Sequence, residues 1–168
     1  MLVAQGRPIF YISKRIGLDR APFQFLKFRT MVPNAESLKK TVPNKHGDDH
    51  VLFKSSDDPR ITKVGKFLRR CSLDELPQFI NVLKGEMSVV GPRPALPEEV
   101  ERYSDLVSRR LQVKPGITGP WQVSGRSDLT WDKSLLLDLN YPVNWSLWGD
   151  FWIIFRTVAV MLTGKGAY

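Results

Sequence analysis

Residues 145–162 form a run of tryptophan, phenylalanine and aliphatic side chains, with only Asp150, Arg156 and Thr157 interrupting its centre. In a chain of 168 residues such a run must be covered by something. It is too short and too interrupted for a spanning helix, which needs about 20 mostly apolar residues. That leaves a helix buried in the core or one lying in the headgroup plane of a membrane. Trp145, Trp148 and Trp152 sit where the lipid–water boundary favours amphipathic rings. A domain this small also has little interior for so much aromatic surface. The sequence therefore predicts an amphipathic membrane-interface helix, with a core helix as the alternative.

Charge is distributed as unevenly as hydrophobicity. Residues 1–70 carry 15 Lys and Arg against 6 Asp and Glu, whereas residues 71–168 carry 10 against 11. The whole excess of the +8 chain lies in its first part, and such a field attracts polyanions: a nucleotide diphosphate, an anionic membrane or a nucleic acid. Nucleic acid fits least, because the aromatic residues cluster at the uncharged end instead of interleaving with the basic ones. One cysteine, Cys71, excludes an internal disulfide framework and suits a reducing compartment. His46 and His50 are too few for a histidine-based metal site. Residues 1–10 hold no long apolar core of a secretory signal.

Along the chain, residues 10–12 and 23–28 read as two strands of a hairpin with a turn at 16–20. Residues 33–59 read as a short helix at 35–40 followed by a polar loop that could serve as a lid. Ile61, Val64, Phe67 and Leu68 follow helical spacing. Leu76, Phe79, Ile80 and Leu83 form an apolar stripe, the pattern a surface helix turns toward a core, and Gly85 is a C′ stop. Residues 88–90 read as a strand running into Gly91-Pro92-Arg93-Pro94, whose prolines hold Arg93 extended. Residues 97–111 read as one helix, and 114–126 as a Gly/Pro loop whose glycines permit close approach to a ligand. Asp128 is placed to cap a helix through 135–139, in which Asp138 lies among leucines and is either functional or solvent-facing. The expected fold class is α+β: mainly helical, with a small β-hairpin and amphipathic membrane-interface helices.

The densest chemistry is the pair Asp74-Glu75, between Arg69-Arg70 and the Pro92-Arg93-Pro94 turn. Adjacent carboxylates flanked by guanidinium groups suit work on a phosphate, one acid attacking or holding metal while the arginines neutralise oxygens. The plainer reading is a helix start: Ser72-x-x-Glu75 is a capping box. Ser72 as N-cap strands Pro77 inside the helix, while Asp74 as N-cap leaves Pro77 in the first turn. Either register puts Asp74 at the positive end of a helix, which with Arg69 or Arg70 is expected to keep it ionised.

These residues fall within motifs that run nearly end to end. They are Gly6-Arg7-Pro8-Ile9-Phe10, Lys27-Phe28-Arg29-Thr30-Met31, Asp58-Pro59-Arg60-Ile61-Thr62-Lys63-Val64-Gly65, and Ser72-Leu73-Asp74-Glu75-Leu76-Pro77-Gln78 leading to Gly91-Pro92-Arg93-Pro94. Then come Lys114-Pro115-Gly116-Ile117-Thr118-Gly119, Gly125-Arg126, and a tail from Asn144-Trp145 to Ala167-Tyr168. In this order they resemble the bacterial sugar transferases, the monotopic phosphoglycosyl transferases. The resemblance implies transfer of a sugar-1-phosphate from a UDP-sugar to polyprenyl phosphate, with release of UMP, at the cytoplasmic face of the bacterial inner membrane. The product begins a surface polysaccharide or glycoconjugate, and the tail is similar to that of members using hexose donors.

By the same resemblance Asp74 is the nucleophile that forms a covalent phosphosugar, and Glu75 helps hold Mg²⁺. Lys27, Arg29, Arg69 and Arg93 are implied phosphate contacts, Asp138 an acidic residue near the site, and Arg126 a nucleotide or sugar contact. Relatives carry a hydrophobic membrane segment just before residues 6–10; this sequence starts at Met1 without it. The expectation is thus a single catalytic domain over residues 1–168. The competing readings are an inactive membrane-peripheral scaffold and a basic nucleic-acid-binding module.

Overall fold

The computed structural model describes residues 6–38, 58–125 and 129–163. Strand β1 (Phe10–Ile16) pairs antiparallel with β2 (Pro22–Phe28), Phe10 opposite Phe28 and Ile16 opposite Pro22. A 3-10 turn at Leu18–Arg20 joins them, so the predicted hairpin is present and longer than its apolar residues suggested. Strand alternation puts Ser13, Arg15, Phe23, Phe25 and Lys27 on one face. Phe23 and Phe25 are buried there with Met87. The predicted helix at 35–40 is not formed over residues 35–38, which are turn; residues 39–57, most of the suggested lid, lie outside the described residues.

Helix α1 (Lys63–Arg70) starts at Thr62, whose Oγ1 accepts from the Gly65 N–H at 2.9 Å. Gly65 is pressed against the chain leaving β2: a Cβ there would lie 2.0 Å from the Thr30 carbonyl oxygen. Ahead of it, Asp58 and Arg60 form a buried ion pair at 2.6 Å. The helix ends at Cys71, Ser72 turns left-handed at φ 53°, and a 3-10 turn at Leu73–Glu75 leads into α2 (Gln78–Leu83).

Two expectations fail at this point. Neither Ser72 nor Asp74 is the N-cap of α2: Ser72 precedes the 3-10 turn and makes no side-chain cap bond, Asp74 lies inside that turn, and Pro77 occupies the cap position of α2, where its missing N–H costs nothing. The α2 stripe is also inverted. Leu76, Phe79 and Ile80 are 43–46% exposed and Leu83 is 88% exposed, whereas Gln78 and Asn81 are buried. Asn81 explains the inversion. Its Nδ2 donates to the Gln24 carbonyl at 2.7 Å and to Glu86 at 2.6 Å, and its Oδ1 accepts from the Leu26 N–H at 3.2 Å. The helix docks on β2 through an amide that satisfies strand backbone, so its apolar side faces out. Gly85 stops the helix with φ 77°, as its sequence position indicated.

Strand β3 (Ser88–Val90) lies parallel to β4 (Gly116–Thr118). The second strand falls inside the segment read as a Gly/Pro loop. Two of its glycines, Gly116 and Gly119, pack against main chain. A Cβ on Gly116 would come 2.1 Å from the Gly91 nitrogen, and one on Gly119 2.1 Å from the Gly91 oxygen. The helix predicted at 97–111 is broken into α3 (Pro97–Val100), α4 (Asp105–Ser108) and a 3-10 turn at Arg109–Gln112. Ser104 caps the restart by accepting from the Val107 N–H. Ala95, Val100 and Leu111 form a second small core there.

Helix α5 (Pro120–Ser124) is followed by α6 (Trp131–Val143), capped by Thr130; Asp128, the expected cap, lies outside the described residues. Helix α7 (Leu147–Thr163) is the apolar run. Ile153 joins Val90 and Val123 in a third core cluster, and Thr157 hydrogen-bonds Thr118 at 2.6 Å. The rest of the helix is not a core helix: Leu147, Trp148, Phe151, Trp152, Phe155, Val158 and Leu162 are exposed. No helix among the described residues is long and apolar enough to cross a membrane. The fold is α+β, mainly helical with two two-stranded sheets.

Candidate active site

Four of the residues singled out in the sequence meet where α1, β2 and the 3-10 turn converge. The left-handed Ser72 swings the chain so that Asp74 points inward, only 6% exposed, while Glu75 remains partly exposed. Lys27 reaches across from β2. Its Nζ lies 2.5 Å from Glu75 Oε1 and 3.9 Å from Asp74 Oδ2, and it stacks over the Phe25 ring at 5.4 Å. Arg69, in the last turn of α1, is held by a 2.9 Å bond from its Nε to Thr30 Oγ1 and adds positive potential at Asp74.

The Asp74 carboxyl is shifted upward. Burial pushes its carboxyl above the ordinary value of 3.8; Lys27 opposes this, Glu75 lifts it further, and Arg69 opposes it. Desolvation thus outweighs the pull of Lys27 and Arg69 in the opposite direction. A buried carboxylate held with little solvation is a stronger nucleophile than a hydrated one, provided that cations arrive with its target.

Arg29 is not in the same arrangement. It is buried, and its guanidinium donates to the carbonyls of Gly6 at 3.2 Å and Arg7 at 3.4 Å, tying the start of the described chain to the end of β2. Arg93 and Asp138 belong to a neighbouring cluster. Arg93, partly exposed, donates from Nη1 to both oxygens of buried Glu99 at 3.1 and 3.2 Å. Asp138 is buried, so the solvent-facing alternative is excluded, and it pairs closely with Arg110. Burial raises Asp138 to about 6, against the lowering effect of Arg110. Arg15 connects the clusters: it lies over the same Phe25 ring at 5.2 Å and donates to the Pro94 carbonyl at 3.3 Å. Burial, with repulsion from Arg93, lowers Arg15 to about 10. Arg126 lies outside the described residues.

Sequence reasoning missed Arg15, Glu99 and Arg110. Once the hairpin register is known, Arg15 shares a face with Lys27, and that alternation was readable. Nothing local distinguished Arg110 from Arg109 or Glu99 from Glu98.

The donor chemistry of the dyad fits Mg²⁺. Asp74 and Glu75 are adjacent hard-oxygen ligands, and Mg²⁺ is commonly held by one or two carboxylates together with substrate phosphates. Among the described residues no three His, Cys, Asp or Glu side chains gather, and Mg²⁺ ordinarily takes its further donors from water and substrate phosphate.

The family described as bacterial sugar transferase matches residues 1–164. The chain is 48% identical over 163 residues to a galactosyl transferase, CpsE, of Streptococcus agalactiae, covering 96% of this chain and 36% of that protein. It is 47% identical over 167 residues to an undecaprenyl-phosphate galactose phosphotransferase of Salmonella typhimurium, covering 97% and 35%. A UDP-glucose:undecaprenyl-phosphate glucose-1-phosphate transferase of Escherichia coli is 43% identical over 169 residues, covering 96% and 34%. The chain thus spans about a third of the length of these relatives.

Proposed function

The chain belongs to the bacterial sugar transferase family, and from that premise we propose that it moves a hexose-1-phosphate from a UDP-sugar to polyprenyl phosphate, initiating assembly of a surface polysaccharide. The observation that carries this reading is buried Asp74 beside partly exposed Glu75, with Lys27 reaching both carboxylates and Arg69 adding positive potential at Asp74.

In the proposed sequence a carboxylate oxygen of Asp74 attacks the sugar-bearing phosphorus of the donor. The bond between that phosphorus and the bridging oxygen breaks, and UMP leaves with the electron pair. An oxygen of polyprenyl phosphate then attacks the same phosphorus, releasing the Asp74 carboxylate and forming a polyprenyl diphosphate sugar. Splitting the transfer lets one site serve a soluble donor and a lipid acceptor in turn. Lys27 and Arg69 offset the repulsion between an anionic nucleophile and an anionic phosphate. Glu75 would hold Mg²⁺, which when bound neutralises pyrophosphate charge. The 2.5 Å contact between Lys27 and Glu75 keeps the cation at the dyad before substrate arrives.

The exposed apolar sides of α2 and α7 support docking on the cytoplasmic face of the membrane, where the acceptor resides. On α7, Trp148 packs with Phe151 and Trp152 with Phe155, and Arg156 lies over Trp152 at 5.7 Å, a pattern suited to the headgroup region. Incubation with UDP-glucose or UDP-galactose, Mg²⁺ and polyprenyl phosphate in detergent should release UMP; a folded protein that releases none contradicts the activity. Flotation with anionic vesicles should carry the protein upward, less so after Phe151→Glu; equal flotation of the two contradicts the docking face.

A further inference from the structure

The turn from Gly91 to Pro94 is held along its whole main chain. The Gly91 N–H donates to the Thr118 carbonyl at 2.9 Å, and the Pro92 carbonyl accepts from the Gly116 N–H at 2.9 Å. The Arg93 carbonyl accepts from Arg110 Nη2 at 3.2 Å, and the Pro94 carbonyl from Arg15 Nη1 at 3.3 Å. Two of these four ties come from backbone in β4 and two from arginines distant in sequence.

Arg110 does more than fill one acceptor. Its guanidinium is 4% exposed and also meets the Tyr103 hydroxyl at 3.1 Å and the Asp138 carboxylate. It therefore links the Arg93 turn to α6 through a single rigid fork. At the other end of the same residue, Glu99 grips the Arg93 guanidinium with both oxygens. Glu99 is itself fixed, because its Oε2 accepts from the Leu96 N–H at 2.8 Å. Arg93 is thus gripped at its carbonyl and at its side chain by two buried charged groups, while its own side chain keeps some exposure.

We propose that Arg110 and Glu99 are positioning residues for Arg93: together they set where its guanidinium meets the phosphates of the substrate. The inference rests on the reading of Arg93 as a phosphate contact. Misplacing such a group by about an ångström costs a large part of its effect on a reaction.

Arg110→Lys separates positioning from stability. A lysine keeps a positive charge beside Asp138, but its point-like ammonium cannot span Asp138, Tyr103 and the Arg93 carbonyl together. The test compares UMP release and thermal melting for Arg93→Ala, Arg110→Lys, Glu99→Gln and the two combinations with Arg93→Ala. Measured well below the melting temperature of every variant, Arg110→Lys and Glu99→Gln should each lower UMP release by about tenfold, and neither should add further loss to Arg93→Ala. Losses that multiply with Arg93→Ala, or full activity in both single variants, overturn the proposal. A second readout does not depend on activity: the Nε–Hε resonance of Arg93, assigned by its absence in Arg93→Ala, should move or broaden in both single variants. If it stays in place in both, the proposal fails. A parent protein that releases no UMP contradicts the functional reading instead, and the resonance alone then decides the positioning.

Discussion

The dyad turn and the Arg93 turn contain the same materials, carboxylates beside basic side chains, in opposite states. At the dyad, Lys27 and Glu75 are partly exposed, Asp74 is buried with its carboxyl shifted upward, and the Lys27 ammonium stands 3.9 Å from Asp74. Around Arg93, Glu99, Arg110 and Asp138 are all nearly inaccessible, Glu99 bound to Arg93 and Arg110 to Asp138. The contrast separates charges arranged to exchange partners from charges arranged to stay. A phosphate entering beside Lys27 can take over contacts that Glu75 now holds. One entering beside Arg93 meets a guanidinium whose position is already determined.

The sharpest way to break this comparison is at Asp74. Asp74→Asn should lower UMP release by about 10⁴-fold or more while leaving the urea midpoint close to the parent's, since it removes the reacting group and no ion pair at hydrogen-bond distance. A variant that keeps a tenth of the activity places the nucleophile elsewhere. Next in size is Arg110→Gln, which leaves the Asp138 carboxylate buried without its partner. It should cost about 3–5 kcal/mol of stability by urea unfolding. A loss below about 1 kcal/mol would mean that this cluster is no more fixed than the dyad.

A smaller effect separates the two sides of α2. Asn81→Leu strands backbone groups of β2 and should cost about 1–3 kcal/mol for a group left unsatisfied. Leu83→Gln should change stability by less than about 0.5 kcal/mol although it removes a leucine, because that side chain is exposed. Equal losses in urea unfolding would contradict the inverted helix.

The smallest effect is in pH. Asp138 stands at about 6 when folded, above its ordinary 3.8, so the folded protein holds this proton more tightly than the unfolded chain does. Its contribution favours folding below 3.8 and is lost as pH rises through about 6. Unfolding measured at about pH 5 and about pH 7 should show that gain on acidification, and Asp138→Asn should flatten it. An unchanged slope in the variant rules out Asp138 as the source.

The hairpin, the strand at 88–90 and the Gly85 stop were legible because each depends on local pattern. The motif around Asp74-Glu75 was legible too, but its geometry was not. The capping-box pattern gave no sign of the left-handed turn at Ser72 that carries the chain into the 3-10 turn. The α2 stripe misled because periodicity reports that a helix has two sides without saying which one is covered. Asn81 decides that through long-range bonds to β2. Arg110 and Glu99 stayed hidden for the same reason: their partners are brought close by tertiary structure, and neighbouring residues of the same type look identical in sequence.

The central claim is that Asp74 accepts the phosphosugar. Mixing the protein with UDP-hexose and Mg²⁺ in the absence of lipid acceptor, followed by intact mass measurement and peptide mapping, tests it directly. A single hexose-phosphate adduct is expected on the peptide containing Asp74, lost when polyprenyl phosphate is added. Turnover with acceptor present but no adduct without it, or an adduct on a different residue, would contradict it.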